Sequence, residues 1–190
     1  MAHRWTMGLI ALVSSLAATA APAQTAGVAL SEKSAYFTYG RLVGGQSFGR
    51  NELGFGLLYN TDDTFIFHTG LEVSDEVGTN FPGLEAGVGG RLNLANRGDT
   101  DVLAFAIGGH LRYRLPNAER FAVAGEGYYA PDIVTFLDAK SFWTWSLQGE
   151  YEILPTATVY LGYRRFEAGL RSGADMGLDK GLRAGVQVRF

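Results

Sequence analysis

The sequence predicts an all-β chain closed into an antiparallel transmembrane β-barrel, and three observations carry that prediction. Apolar and polar residues alternate with period 2 in successive segments from Ala35 to Phe190. Several of these segments run 10 to 14 residues, longer than the ~5–6 of a usual soluble strand and matched to the ~9–11 of a tilted membrane strand. A leader precedes them, with His3 and Arg4, an apolar run from Trp5 to Leu16, and Ala21-Pro22-Ala23 before Gln24.

Residues 1–23 read as a cleaved signal peptide and residues 24–190 as one barrel domain. The apolar run is broken by Ser14 and Ser15 and falls short of the ~20 residues of a spanning helix. Cleavage after Ala23 removes Arg4 and no acid, leaving 15 bases against 19 acids and a formal charge of −4.

The first candidate strand, 35–44, is short and reads either as a strand or as a periplasmic extension. Five further segments follow at 51–60 (Leu53, Phe55, Leu57, Tyr59), 64–73 (Phe65, Phe67, Leu71, Val73), 83–94 (Leu84, Ala86, Val88, Leu92, Leu94), 101–114 and 120–130 (Phe121, Val123, Tyr129). In 101–114, Leu103, Phe105, Ile107, Leu111 and Tyr113 oppose Val102, Ala104, Ala106, Gly108, His110, Arg112 and Arg114. Segment 141–153 alternates most cleanly, with Trp143, Trp145, Leu147, Gly149, Tyr151 and Ile153 against Phe142, Thr144, Ser146, Gln148, Glu150 and Glu152. Segments 157–167 (Val159, Leu161, Tyr163) and 180–190 (Leu182, Ala184, Val186, Val188, Phe190) complete the set. Asn60-Thr61-Asp62-Asp63, Asn96-Arg97-Gly98-Asp99, Pro116-Asn117 and Leu154-Pro155-Thr156 supply turn chemistry between them. These make nine candidates, whereas single-chain bacterial barrels carry an even number. Setting aside 35–44 gives the expected eight strands. If 35–44 spans, a tenth strand is hidden and the barrel has ten.

The polar faces fix which side is inside. Gly87, Gly89, Gly108, Gly162 and Gly185 accompany a charge set of Glu85, Arg91, His110, Arg112, Glu126, Glu150, Arg164 and Arg183. Small residues beside opposite charges suit a narrow lumen in which side chains fill the space, and on a solvated face those glycines would bring only conformational cost. Unpaired charges in such a lumen are costly, so these groups are expected to pair and fill it. On the apolar face, Trp143, Trp145 and Tyr151 lie as an aromatic girdle would. Phe190 closes an amphipathic last strand and looks like the carboxy-terminal signal that barrel-insertion machinery recognises.

With those residues in order, the sequence resembles a known family. The stretches Phe81-Pro82-Gly83-Leu84-Glu85-Ala86-Gly87-Val88-Gly89-Gly90-Arg91-Leu92, Gly108-Gly109-His110-Leu111-Arg112-Tyr113, Gly125-Glu126-Gly127-Tyr128-Tyr129-Ala130-Pro131-Asp132 and Glu150-Tyr151-Glu152-Ile153-Leu154-Pro155, with Val159-Tyr160-Leu161-Gly162-Tyr163-Arg164, are similar to the YfaZ family of small outer-membrane proteins over most of 45–190. The resemblance implies a barrel in the outer membrane of a Gram-negative bacterium and carries over no catalytic residues.

Composition and motif tests narrow the function. With 16 Lys+Arg against 19 Asp+Glu the chain has no basic excess, which disfavours nucleic acid as a partner. It has no Cys and three His, so metal sites and triads are thinly supplied and neither a metal nor a cofactor is expected. His110, Ser146 and Glu126 could be drawn as a triad, but the His-x-Ser pattern of barrel lipid A deacylases is missing, since Leu111-Arg112 follows His110 and Thr69-Gly70 follows His68. Asp62-Asp63 lacks EF-hand spacing and reads as a turn. The loop Tyr128–Asp138 is long and apolar, fit either to plug a barrel mouth or to bind a ligand. Arg164 and Arg165 could meet lipopolysaccharide phosphates or stand solvated at the rim. The expectation is a monomeric, non-enzymatic outer-membrane barrel acting through its loops, with lipid, lipopolysaccharide and the assembly machinery as partners. A narrow transport pore, a lipid-modifying enzyme and a periplasmic lipocalin-like binder are the alternatives.

Overall fold

The computed structural model describes residues 24–44, 49–78 and 81–190, and the signal peptide expected over 1–23 lies outside them. Period-2 alternation is realised as long antiparallel strands: β1 (Gln24–Ser31), β2 (Ser34–Gly44), β3 (Arg50–Asn60), β4 (Thr64–Glu76), β5 (Leu84–Arg97), β6 (Thr100–Arg114), β7 (Phe121–Ala130), β8 (Thr135–Leu137), β9 (Ala139–Leu154), β10 (Ala157–Leu170) and β11 (Asp175–Arg189). Ten of them close a ring in sequence order, with β7 paired to β9 and β1 paired to both β2 and β11. The closing seam sets Thr25 opposite Arg189 and Ser31 opposite Arg183. An even count brings the chain ends together, and the Gln24 and Phe190 backbones exchange hydrogen bonds of 2.8 and 2.9 Å.

The expected eight strands are therefore corrected to ten. Segment 35–44 is a wall strand, β2, and the hidden tenth strand is β1, Gln24–Ser31. Its alternation is present, with Val28 and Leu30 exposed and Ala29 buried, but small residues at Ala26, Gly27 and Ala29 keep the contrast low. Closure stabilises it, since each of its edges pairs with a long neighbour and no open edge remains.

The turn chemistry falls where the strands reverse. Asn60 Oδ1 accepts the backbone N–H groups of Asp62 (2.9 Å) and Thr64 (3.1 Å), while its Nδ2 donates to Leu178 O at 3.0 Å. Asp63 adopts φ 53° and Gly98 φ 58°, the left-handed conformations that tight hairpins need.

Strand β8 lies outside the ring order. It pairs with β6 through Val102, Leu103 and Ala104, beyond the reach of β7, whose pairing with β6 ends at Ile107–Tyr129. The loop after Tyr128 thus patches the wall. Arg171 holds it in place, donating to Leu137 O and Thr135 O at 3.1 Å each and meeting Asp132 at 3.1 Å.

The lumen has two layers. Away from the chain termini, Leu58, Ile66, Val102, Phe142, Phe166 and Leu178 pack with small alanines into one buried cluster to which all ten ring strands contribute. Each large side chain there contributes roughly 1.5–3 kcal/mol of burial. A bulge between Phe166 and Glu167 in the β10–β11 pairing turns Leu178 inward beside Asp179, so two successive residues face the lumen. Towards the termini the inward side chains are charged.

Candidate functional site

The charged layer surrounds a cavity of about 420 Å³. Its lining reaches Arg114 and Arg189 at the strand ends beside the termini, and its floor is formed by Tyr36, His68, Arg91 and Arg183 above the apolar cluster. The cavity is blind. The expectation of a lumen filled throughout by paired charges is corrected here, because ten strands enclose more space than eight and the apolar layer, which alternation alone could not place, fills the distal half.

Inside the cavity, carboxylates and guanidinium groups from strands two apart in the ring pair across the strand between them. Arg91 Nη2 donates to Glu126 Oε2 at 2.9 Å and lies 3.8 Å from Glu72 Oε2, with its guanidinium 3.7 Å from the Tyr128 ring centre. Ser146 Oγ donates to the other Glu126 oxygen at 3.3 Å. Arg112 Nε donates to Glu150 Oε2 at 2.7 Å, and Arg50 pairs with Glu85. His110 stands between two acids, with Nδ1 2.5 Å from Glu72 and Nε2 3.7 Å from Glu85, and Tyr128 donates to Glu72. His68 Nε2 shares a 2.6 Å hydrogen bond with the Tyr36 hydroxyl. Missing β-carbons make room for His110 and for Gln148, which also lines the cavity. A Cβ on Gly87 would lie 2.6 Å from the His110 ring, and one on Gly162 would lie 2.5 Å from Gln148 Cβ.

Of the eight lumen residues expected, Glu85, Arg91, His110, Arg112, Glu126, Glu150 and Arg183 line this cavity. Arg164 does not. It is buried behind the floor at 2% exposure, donates to Asp179 Oδ2 at 2.9 Å and lies 4.3 Å from the Tyr36 ring centre. That placement also removes it from any rim contact with lipopolysaccharide, a correction caused by the inward register of β10. Arg165 does face outward, 2.8 Å from Glu167 and over Trp143. Sequence reasoning missed Glu52, Glu72, Asp179 and Tyr36, and it set Gln148 on the polar face without a role. The alternation of β4 already marks Glu72 as inward, and Asp179 shares the register of Arg183 on β11, whereas Leu178 turns inward through a bulge that no period reveals.

Trp143, Trp145 and Tyr151 sit on the outer register of β9, with Trp145 against Tyr163 (5.5 Å between ring centres) and Tyr151 against Phe121 (4.7 Å). Phe190 is exposed at the terminal end. The Ser146 hydroxyl engages Glu126, and His110 engages Glu72 and Glu85, so these groups assemble no Ser–His pair. Among the described residues, no group of three or more His, Asp or Glu converges as a metal site would require.

Fold and lumen together define a small ten-stranded antiparallel β-barrel with a blind polar cavity. The chain belongs to the YfaZ family, whose profile, described as YfaZ precursor, matches residues 7–190. No curated protein matches it. A solved structure described as "Unveiling the Mechanism Behind the in-meso Crystallization of Membrane Proteins" aligns over 88% of this chain and 83% of its own at 14% identity, with a TM-score of 0.44, a likeness too loose to bear on function.

Proposed function

We propose that the protein is a non-enzymatic barrel of the outer membrane of a Gram-negative bacterium, inserted through all ten ring strands and closed to conduction. The outer surface carries this reading. Every ring strand presents an exposed apolar side chain there, among them Leu30, Phe37, Leu71, Val88, Ile107, Val123, Leu147, Leu161 and Leu182, with Val88 70% and Leu182 68% exposed. A soluble protein rarely leaves so continuous an apolar belt uncovered, and a closed barrel satisfies its backbone groups without water. On the outer register Arg41, Asp75 and Asp101 stand near strand ends, and Arg165, Glu167 and Lys180 cluster in the halves of β10 and β11 away from Phe190. Trp143 and Tyr151 are eight residues apart on β9, about 20 Å along the barrel axis once tilt is included, near the height of a membrane barrel's apolar band.

In such barrels both termini are periplasmic, which turns the mouth of the cavity to the periplasm and the apolar layer to the outside. Phe190, ending the last strand beside Gln24, is then placed where assembly machinery would engage it. Sucrose-gradient separation of membranes tests the location: the protein is expected in the outer-membrane fraction, resistant to urea washing and heat-modifiable on gels. Recovery in the soluble periplasm would overturn the reading in favour of a lipocalin-like binder.

A further inference from the structure

The charges around the cavity do not all find partners. Arg91, Arg112 and Arg50 pair with Glu126, Glu150 and Glu85, and Arg164 behind the floor pairs with Asp179. Arg183 is 6% exposed and lines the cavity floor, yet among the described residues it has no carboxylate within 4.0 Å. The remainder of the chain, 1–23, 45–48 and 79–80, contains no Asp or Glu. Its Nη2 donates to the neutral amide of Gln148 at 2.9 Å, and that amide donates in turn to Glu150, whose charge Arg112 already meets. Arg183 Nε is buried without any partner. Tyr160 and Tyr36 hold the guanidinium, with ring centres 5.5 and 6.0 Å away. Glu52 also lacks a cation within 4.0 Å but stands near the mouth, where Gly40 faces Thr25 and Thr25 faces Arg189.

A guanidinium withdrawn from water without a counter-charge is costly. Proteins keep such a group where a ligand supplies the missing charge. The space beside it suits a small molecule, since ligand pockets start at ~300 Å³, and Arg114 and Arg189 at the mouth would draw anions inward.

We infer that the blind cavity binds a small carboxylate-bearing molecule, whose carboxylate pairs with Arg183 on the floor and whose body extends from there towards the mouth. Glu72, Glu126 and Glu150 line the same cavity and would repel a dianion, so a singly charged carboxylate fits beside Arg183 better than a phosphate dianion. The inference rests on the proposed function only for the side from which the ligand enters.

The test uses the full mature chain folded in detergent and titrated calorimetrically with acetate, benzoate and N-acetylalanine, each against its uncharged amide and against inorganic phosphate. At least one carboxylate is expected to bind saturably at one site per chain while its amide does not. Arg183→Met is expected to weaken that binding about tenfold or more, and Arg183→Lys, which keeps the charge but loses the planar fork, to weaken it less. Without ligand, Arg183→Met should unfold at the wild-type Tm or above it, because an unpaired buried charge has gone. Three results would overturn the inference: no saturable carboxylate binding, tighter binding of phosphate than of every carboxylate, or an unliganded Arg183→Met barrel that is clearly destabilised or fails to fold. Binding in detergent does not depend on which compartment holds the protein, so this outcome and that of membrane fractionation stand apart.

Discussion

Glu126 shows how the lumen is wired at the scale of a residue. It accepts from Arg91 and Ser146 at the cavity floor, so Glu126→Ala leaves Arg91 with only the more distant Glu72, 3.8 Å away. Breaking a buried pair typically costs 3–5 kcal/mol. The remaining acid and the Tyr128 ring place this variant at the lower end, with an expected loss of about 3 kcal/mol in urea unfolding. Phe142→Ala removes a fully buried ring from the apolar layer and should cost about 3–5 kcal/mol through the cavity it leaves, measured in the same way. The inward face of all eight expected lumen residues was legible because alternation assigns a face without knowing the partner strand, while the depth that sets Arg164 behind the cavity floor was not. Which acid meets which base was not, since Arg91 and Glu126 are 35 residues apart and only the register of the β5–β6–β7 meander brings them together.

The short strands are the informative elements. Strand β1 was invisible because Ala26, Gly27 and Ala29 carry little contrast, and the parity of the strand count was the only signal that a strand was missing. The loop after Tyr128 was legible as unusual, while its conformation was not: it lies along the wall because β7 stops short and leaves the β6 edge at Val102–Ala104 unpaired. Arg171→Ala removes both of its hydrogen bonds to that loop and its contact with Asp132. The loss should be about 1 kcal/mol, with little change in the barrel itself, and limited proteolysis is expected to cut near exposed Ile133 faster than in the wild type. Deletion of Phe190 acts on the opposite end, where its backbone pairs with Gln24. It should lower the amount of heat-modifiable barrel reaching the membrane, and equal amounts with and without Phe190 would contradict an assembly role.

For the molecule as a whole, strand number and lumen chemistry depend on each other. Eight strands would have required the charges themselves to fill the interior. Ten leave a cavity, and the layer of Leu58, Ile66, Val102, Phe142, Phe166 and Leu178 seals what the charges do not. All of these but Leu178, which the bulge turns inward, lie on the same register as the inward charges of their strands, so the sequence marks them as inward. Their position at one end, as a continuous layer drawn from every ring strand, emerges only from the assembled register. The account's central claim is that this layer makes the barrel blind, and planar-bilayer recording tests it most directly. Wild-type protein inserted in the bilayer should give no steady single-channel conductance, and Phe142→Ala should raise the frequency of brief openings. Steady conductance from the wild type would contradict the closed lumen and establish the transport pore in its place.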